Sequence, residues 1–524
     1  MAGLGILGGF ATSTGKSQPS RLGERPTLFV DRAFQLETAD PQRVLEPTAS
    51  IIDRAVYDTL FTFRGSDVTH PVPLLVTSWS ASKDAKTFIF RLRKDVHFAD
   101  GSPLTSVDVV FSFRRAINLK ASPSFLLAGV DVSARGRYGV VLHSVRPYTA
   151  IPSILATTSL GIVNSKLVRK HLGKDSPNAD KTDKARSWFD SAASAGVGSG
   201  PYVLHRFTLK SPIELLPNRR YWGARKPAFA KVVLRNMLAA SQLTSIRRGK
   251  HEVALDLSSQ QAQTLARDRR LDVRQLPSTW LFWLFANNDP QISPITSNRH
   301  FQQALRFALD YKSFVALAGP GAIQAPGIIP SMFLGALARK NAVQRDLARA
   351  RSELAASGVG NRAITLEYPS DLTVGGISLT ALAQRVQASL QTAGFHVSLS
   401  GTEVGTWLVR YRSGKVPFGL YLWQPDILDP SDYLAFTPGD VAGLRAGWAK
   451  GSDPAIEKLA AKARVTTASN PRKKLYQQLQ VKLNESGPFF PLIQPGHGFV
   501  ATKDLRGAVF NPQYAIDVTQ VSPK

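Results

Sequence analysis

Cysteine is absent from the 524 residues, which excludes disulfides, thiolate metal sites, a cysteine nucleophile and the acylated cysteine of a lipoprotein. No stretch approaches the roughly 18 consecutive apolar residues that a membrane-spanning helix requires. Acidic residues are scarce, 38 against 65 lysines and arginines, so the formal charge is +27 and the pI is near 10.3. Such an excess asks for an acidic partner such as nucleic acid or anionic headgroups. However, the basic groups Arg247-Arg248, Arg269-Arg270 and Arg472-Lys473-Lys474 are dispersed, and no aromatic-interleaved cluster accompanies them. A solvated basic surface without direct nucleic-acid binding is the expectation. The nine histidines show neither HExxH nor His-x-His spacing, and no local cluster of carboxylates adds a metal site. Neither catalysis nor a cofactor is expected.

Two catalytic look-alikes fail on spacing. Gly9 lies one residue too far from Gly15-Lys16-Ser17 for a phosphate-binding loop, and Phe10 stands where the glycine is needed. Gly198-Ser199-Gly200 resembles a nucleophile elbow, but Val197 occupies the position of its first glycine. What the chain does have is bulk: 43% of its residues are hydrophobic, and its length suggests roughly three domains with large cores.

The most informative stretch is Ser78 to Ala116. Thr87 to Arg93 alternates, with Phe88, Phe90 and Leu92 on one face and Thr87, Arg91 and Arg93 on the other, the pattern of a half-buried strand that only Ile89 breaks. Asp100-Gly101 supplies a tight turn. Thr105 and Asp108 then form a capping box, and Val107, Val110 and Phe111 an apolar stripe. The predicted order is strand, turn, capped helix.

These residues resemble a family-wide signature. Trp79, Ser82, Asp84, Leu92-Arg93, Val96, Phe98, Asp100-Gly101, Thr105, Asp108-Val109 and Phe111-Ser112 are similar to the pattern of the extracytoplasmic solute-binding proteins of dipeptide, oligopeptide and nickel ABC importers. Ser106 and Ala99 depart from it, where the family usually has Ala and His. The resemblance extends through Ala39-Asp40-Pro41, Tyr57 to Phe61, Pro73-Leu74-Leu75, Gly198 to Tyr202, Asn218 to Trp222, Glu252 to Asp256, Ala304/Ala308/Asp310 and Pro326 to Pro330. It implies an α/β, two-lobed periplasmic binding protein fold (class II, a large cluster with an extra subdomain), with mixed sheets, flanking helices and a hinge. Its implied parts are 1–26 as a leader or remnant signal segment, 27–62 as the first part of lobe 1 and 63–194 as an extra subdomain of that lobe. Residues 195–284 form its second part, 285–490 lobe 2, and 491–524 the return to lobe 1.

Helices are expected over Arg299–Ala316, Asp346–Ala356, Ser378–Ala393 and Arg472–Asn484, and strands over Thr27–Val30, Leu281–Asn287, Ile364–Tyr368, Val397–Leu399 and Phe489–Leu492. Asp175–Asp190, polar and of mixed charge, reads as an exposed loop leading into a short helix.

The resemblance also implies a site. Trp423-Gln424-Pro425-Asp426 stands where peptide-binding members carry Trp-x-x-Asp, so Asp426 would pair with the ammonium of a peptide's first residue beside an aromatic wall. Trp423, Phe285 and Thr48 complete the expected substrate-binding set. The loop Pro369–Ile377 contains Asp371 and no cation, where dipeptide binders place a carboxylate-holding arginine, so the expectation is longer peptides bound mainly through their backbone, or a ligand with an uncharged far end. The implied protein is a monomer, free in the periplasm, that captures a peptide and delivers it to the permease subunits of an ABC importer. Alternatives are another solute on the same fold, such as a nickel chelate, heme or oligosaccharide, or a basic envelope or nucleic-acid-associated interaction protein.

Overall fold

The computed structural model describes residues 25–524; up to residue 24, the leader assigned to 1–26 and the phosphate-loop look-alike lie outside the described residues. Three sheets organise the chain. The first has seven strands in the order Leu271–Pro277, Gly496–Thr502, Glu252–Ala254, Thr27–Arg32, Lys231–Asn236, Ile213–Pro217, Tyr202–Arg206. Thr27–Arg32 lies at its centre, parallel to both neighbours. The position suits its residues, because Leu28 and Val30 are fully buried and a strand flanked on both sides has no free edge.

The second sheet is an antiparallel four-stranded unit built on Val76–Ala81, Thr87–Leu92, Gly139–Ser144 and Val130–Ala134. Phe88, Phe90 and Leu92 are buried, while Ile89, which broke the alternation, is exposed beside Arg91. The Asp100-Gly101 turn forms with Gly101 at φ +94°. Helix Ser106–Asn118 starts where expected, with the Thr105 amide donating to the Asp108 carboxylate at 2.9 Å. Its apolar stripe differs from the expectation, since Val107 is exposed and the i, i+4, i+7 residues Val109, Phe113 and Ala116 enter the subdomain core. Phe111 enters the core of the seven-stranded sheet instead. A helix that serves two cores has no single amphipathic face, which is why the sequence pattern misassigned Val107.

The third sheet has six strands, in the order Ile323–Gln324, Phe489–Gln494, Leu281–Ala286, Phe418–Trp423, Ala363–Pro369, His396–Thr402. Every residue of Leu281–Ala286 is buried. Phe282, Leu284 and Ala286 face the core formed with helices Arg299–Ala308 and Leu379–Gln391, and Leu281, Trp283 and Phe285 face an aromatic core with Trp407, Tyr411 and Phe436. Gly419 is the cross-strand partner of Phe285. A Cβ there would lie 2.3 Å from the Phe285 ring, so only glycine fits.

The result is the expected two-lobed α/β architecture with mixed sheets and flanking helices, and the chain crosses between the large sheets at two adjacent places. One is Ser278–Trp280 and the other is Pro495. The Ser278 amide donates to the Pro495 carbonyl at 2.9 Å and the Gln494 side chain to the Ser278 carbonyl at 3.0 Å. These crossings replace the expected boundaries at 284/285 and 490/491, because Leu281–Leu284 and Pro491–Gln494 pair within the six-stranded sheet.

Two further expectations change. The helix expected over Arg299–Ala316 is two helices, Arg299–Ala308 and Tyr311–Ala318, since Leu309 is extended and the Asp310 side chain caps the second helix at the Ser313 amide, 3.3 Å away. The Asp175–Asp190 segment is not wholly exposed, because Asp183 is buried against the fully buried Arg115. Arg115 donates to Asp183 at 2.8 Å, to Asp40 at 2.6 and 2.7 Å and to Gln42 at 2.7 Å. Burial alone would raise the Asp183 pKa, but the Arg115 guanidinium outweighs it and holds the carboxyl at about 2. No helix of the described residues is long and apolar enough to cross a membrane.

Candidate functional site

A cavity of about 460 Å³ lies beside the crossing segments. Arg32, Pro47, Ser50, His497 and Phe510 line it from the seven-stranded-sheet side, Gln424, Pro425, Asp426 and Leu428 from the six-stranded-sheet side, and Ser278, Thr279 and Trp280 from the crossing itself. Its volume falls within the roughly 300–1,000 Å³ of small-molecule sites, and its place at a lobe junction fits where such sites occur.

The six-stranded-sheet wall is built by the loop that follows strand Phe418–Trp423. Three aspartates in it, three residues apart, have separate fates. Asp432 accepts from the Trp423 indole at 2.8 Å. Burial pushes its pKa up to about 7, with the Asp426 charge adding to the rise. Asp429 is buried and takes two bonds from Arg472, at 2.5 and 2.9 Å. Despite burial, that guanidinium holds the Asp429 pKa below the usual range. The same pair reaches across to the four-stranded subdomain, where Ser153 donates to Asp429 and Arg472 to Thr149, each at 3.2 Å. Asp426 differs from both: among the described residues no side chain bonds or pairs with it, and it is exposed to the cavity. The surrounding walls still desolvate it enough to raise its pKa.

On the opposite wall Arg32, 8% exposed, ends the central strand of its sheet. One nitrogen, Nη2, donates to Asp256 at 3.2 Å, while Nε and Nη1 are buried without a partner among the described residues. His497 stacks on Phe510 with ring centroids 4.3 Å apart. Burial lowers its pKa to about 4, so it is neutral at pH 7, and its Nε2 also lacks a partner among the described residues.

Of the four residues expected to bind substrate, only Asp426 lines the cavity. Trp423 lies behind the loop, packed on Phe436 at 5.1 Å, and Trp280 provides the aromatic wall in its place. Phe285 is fully buried in the aromatic core. Thr48 is also fully buried, and its hydroxyl accepts from the Gln35 amide at 3.0 Å, although its neighbours Pro47 and Ser50 reach the cavity. The cation-free loop Pro369–Ile377 does not line this cavity, and Asp371 accepts from the Val404 amide at 2.9 Å. Sequence reading missed Arg32, Trp280 and His497. For Arg32 a signal existed, since ligands of open α/β sheets gather at the carboxyl ends of strands. For the other two, which reach the cavity only through long-range folding, there was none.

A sequence model of the bacterial extracellular solute-binding proteins, family 5 (middle), matches residues 70–442. The chain belongs to this family. Among curated relatives, an Escherichia coli (strain K12) protein named as a probable D,D-dipeptide-binding periplasmic protein is 25% identical over 496 residues, covering 93% of this chain and 92% of its own. Di/tripeptide-binding protein 2 of Pseudomonas aeruginosa (strain UCBPP-PA14) is 26% identical over 519 residues, with 94% of each chain covered. Among solved structures, HbpA2 from Haemophilus parasuis superposes with a TM-score of 0.82 at 21% identity, covering 95% of this chain and all of that one. The likeness runs nearly the full length of both chains and carries the fold.

Proposed function

We propose that this solute-binding protein captures peptides in the cavity between its lobes and delivers them to the permease of an ABC importer, with Asp426 as the anchor for the peptide's amine. The observation that supports this most is the carboxylate itself. A desolvated anion with no partner among the described residues, exposed to a cavity between two lobes, is electrostatically unfinished until a cationic ligand group arrives. The relatives, one named as a probable D,D-dipeptide-binding periplasmic protein and one as a di/tripeptide-binding protein, support the same class of ligand.

The mechanism is closure about the two crossings. A ligand touching both walls binds the closed arrangement better than the open one, and its differential affinity sets how far the population shifts. On this reading the protein is exported, acts as a monomer and releases its ligand chemically unchanged. Mass spectrometry of ligand carried through mild purification tests the assignment, with thermal stabilisation by the recovered species as the second readout. Recovery of a peptide with a free amine is the expected result. A stoichiometric metal chelate, heme or oligosaccharide would instead assign another solute to the same fold.

A further inference from the structure

The cavity lies at one end of the seven-stranded sheet, and the opposite end gathers exposed cations from turns far apart in the sequence. We infer that this far end is a docking surface for anionic phospholipid headgroups, a reversible membrane contact made by the first lobe while the cavity stays open to cargo. The inference rests on the export proposed above, because an exported chain meets a headgroup layer, and it does not depend on what the cavity holds.

Strand register places the charges. Arg32 and His497 mark the cavity end, where His497 is paired with Leu276. At the other end Thr27–Arg32, Lys231–Asn236, Glu252–Ala254 and Leu271–Pro277 begin and Gly496–Thr502 finishes, about 20 Å away at the rise of a strand. Arg247, Arg248 and Lys250 immediately precede the third of these strands, Arg267, Arg269 and Arg270 precede the fourth, and Lys503 follows the last. All seven residues are exposed. The turns are tied to one another, since the Lys503 amide donates to the Arg270 carbonyl at 2.8 Å and the His251 amide to the Asp504 carboxylate at 3.1 Å. Basic groups dispersed in the sequence therefore share one end of a sheet. Two acids, Asp268 and Asp504, stand within these turns, and among the described residues only Arg270 of the seven cations is in an ion pair, with Asp268 at 2.7 Å.

The basic end continues across the sheet. A groove of about 920 Å³ beside the starts of Thr27–Arg32 and Lys231–Asn236 is lined by Arg25, Arg219, Arg220 and Lys231, and among the described residues no carboxylate lines it. Seven strands at about 4.8 Å spacing make this end roughly 30 Å wide. Charges spread over that width, against a screening length of about 8 Å in physiological salt, are not neutralised by one small anion, whereas a plane of headgroups meets them all. Each Lys or Arg near such a surface strengthens attachment about fivefold. Residues 247–250, 267–270 and 503–504 include no aromatic side chain on which a nucleobase could stack, so lipid fits better than single-stranded nucleic acid. The crossings at Ser278 and Pro495 leave the sheet at its cavity end, so a lobe held by its far end keeps its hinge and cavity clear of the membrane. The expected protein free in the periplasm becomes one that attaches and detaches with ionic strength.

The test is co-sedimentation of the full chain with vesicles of phosphatidylcholine alone or with about 30% phosphatidylglycerol, at about 0.05 M and about 0.5 M salt. Binding to the anionic vesicles at low salt, at least about tenfold weaker at high salt, with none to phosphatidylcholine alone, is the expected result. Arg267→Gln/Arg269→Gln should weaken it at least about tenfold. Lys473→Gln/Lys474→Gln, which removes the same charge from an exposed stretch of helix Ser469–Ser486, should change it less than about threefold. Equal losses in the two variants would assign the attraction to net charge and overturn this surface. Absence of binding to anionic vesicles at low salt overturns the inference without any variant; the assay contains neither cargo nor cells, so the capture and export readings would stand. Duplex DNA bound at least about tenfold tighter per phosphate than the vesicles would overturn the lipid assignment in favour of nucleic acid. Export is decided separately by cell fractionation.

Discussion

Acetylating the amine of a bound peptide perturbs Asp426 more directly than any change to the protein, because it removes the ligand's charge and leaves every side chain in place. A fully exposed ion pair contributes roughly 0–1 kcal/mol, whereas a buried charge stranded without its partner costs about 3–5 kcal/mol. Asp426 lies between these limits, exposed to the cavity yet desolvated by its walls. The expected loss on acetylation is therefore about 2.7 kcal/mol, or about a hundredfold in affinity. Isothermal calorimetry near neutral pH with free and N-acetylated trialanine measures it. Asp426→Asn should weaken the free peptide by a similar factor while shrinking the acetylation penalty to less than about threefold, since no charge remains to be stranded. A pH series supplies an independent check: the ammonium pairs only with the ionised carboxylate, and burial raises the Asp426 pKa, so affinity should begin to fall at a higher pH than for an ordinary aspartate. An acetylation penalty under about threefold in the unmodified protein would refute the reasoning, whatever the variant does.

Asp432 titrates at about 7 in the folded chain against roughly 3.9 unfolded, so between those values the native state holds the extra proton and stability falls as pH rises, levelling off above about 7. Asp432→Asn, which keeps an acceptor for the Trp423 indole, should abolish that slope and raise the melting temperature at alkaline pH; an unchanged melting profile would count against the buried carboxyl. Arg472→Met strands the buried Asp429 and should destabilise by about 3–5 kcal/mol in denaturant titration, with much of the loss recovered in Arg472→Met/Asp429→Asn; equal stability of single and double variants would contradict the pairing. Gly419→Ala drives a Cβ to 2.3 Å from the Phe285 ring and should cost about 1–3 kcal/mol of overpacking strain, read as a drop in melting temperature without loss of the remaining secondary structure.

Local chemistry was legible in the sequence and long-range chemistry was not. The strand, turn and capping box of Ser78 to Ala116 announce themselves because each depends on residues within one turn or one pleat of each other. Asp310 had the composition of a cap, but it was read as part of one continuous helix because apolar periodicity carries across the break. The burial of Asp183 depends on Arg115, 68 residues away, and the state of Arg32 on Asp256, 224 residues away; no local pattern encodes either. Within the candidate site, Asp426 was legible through the family resemblance. The division of labour among Asp426, Asp429 and Asp432 was not, since identical residues at equal spacing differ only in which cation or indole the fold brings to them.

The two crossings between the large sheets run side by side and are tied to each other at Ser278, Gln494 and Pro495. Cross-strand bonds resist shear and twist between neighbouring segments, but a ribbon of two bends readily across its width. If the lobes close as proposed, this pairing confines their relative motion chiefly to one angle, so chemically different cargoes would drive the molecule along the same path. Under the proposed import role a membrane partner would then need only a gauge for that angle, and the identity of the cargo would be erased at the moment it is secured.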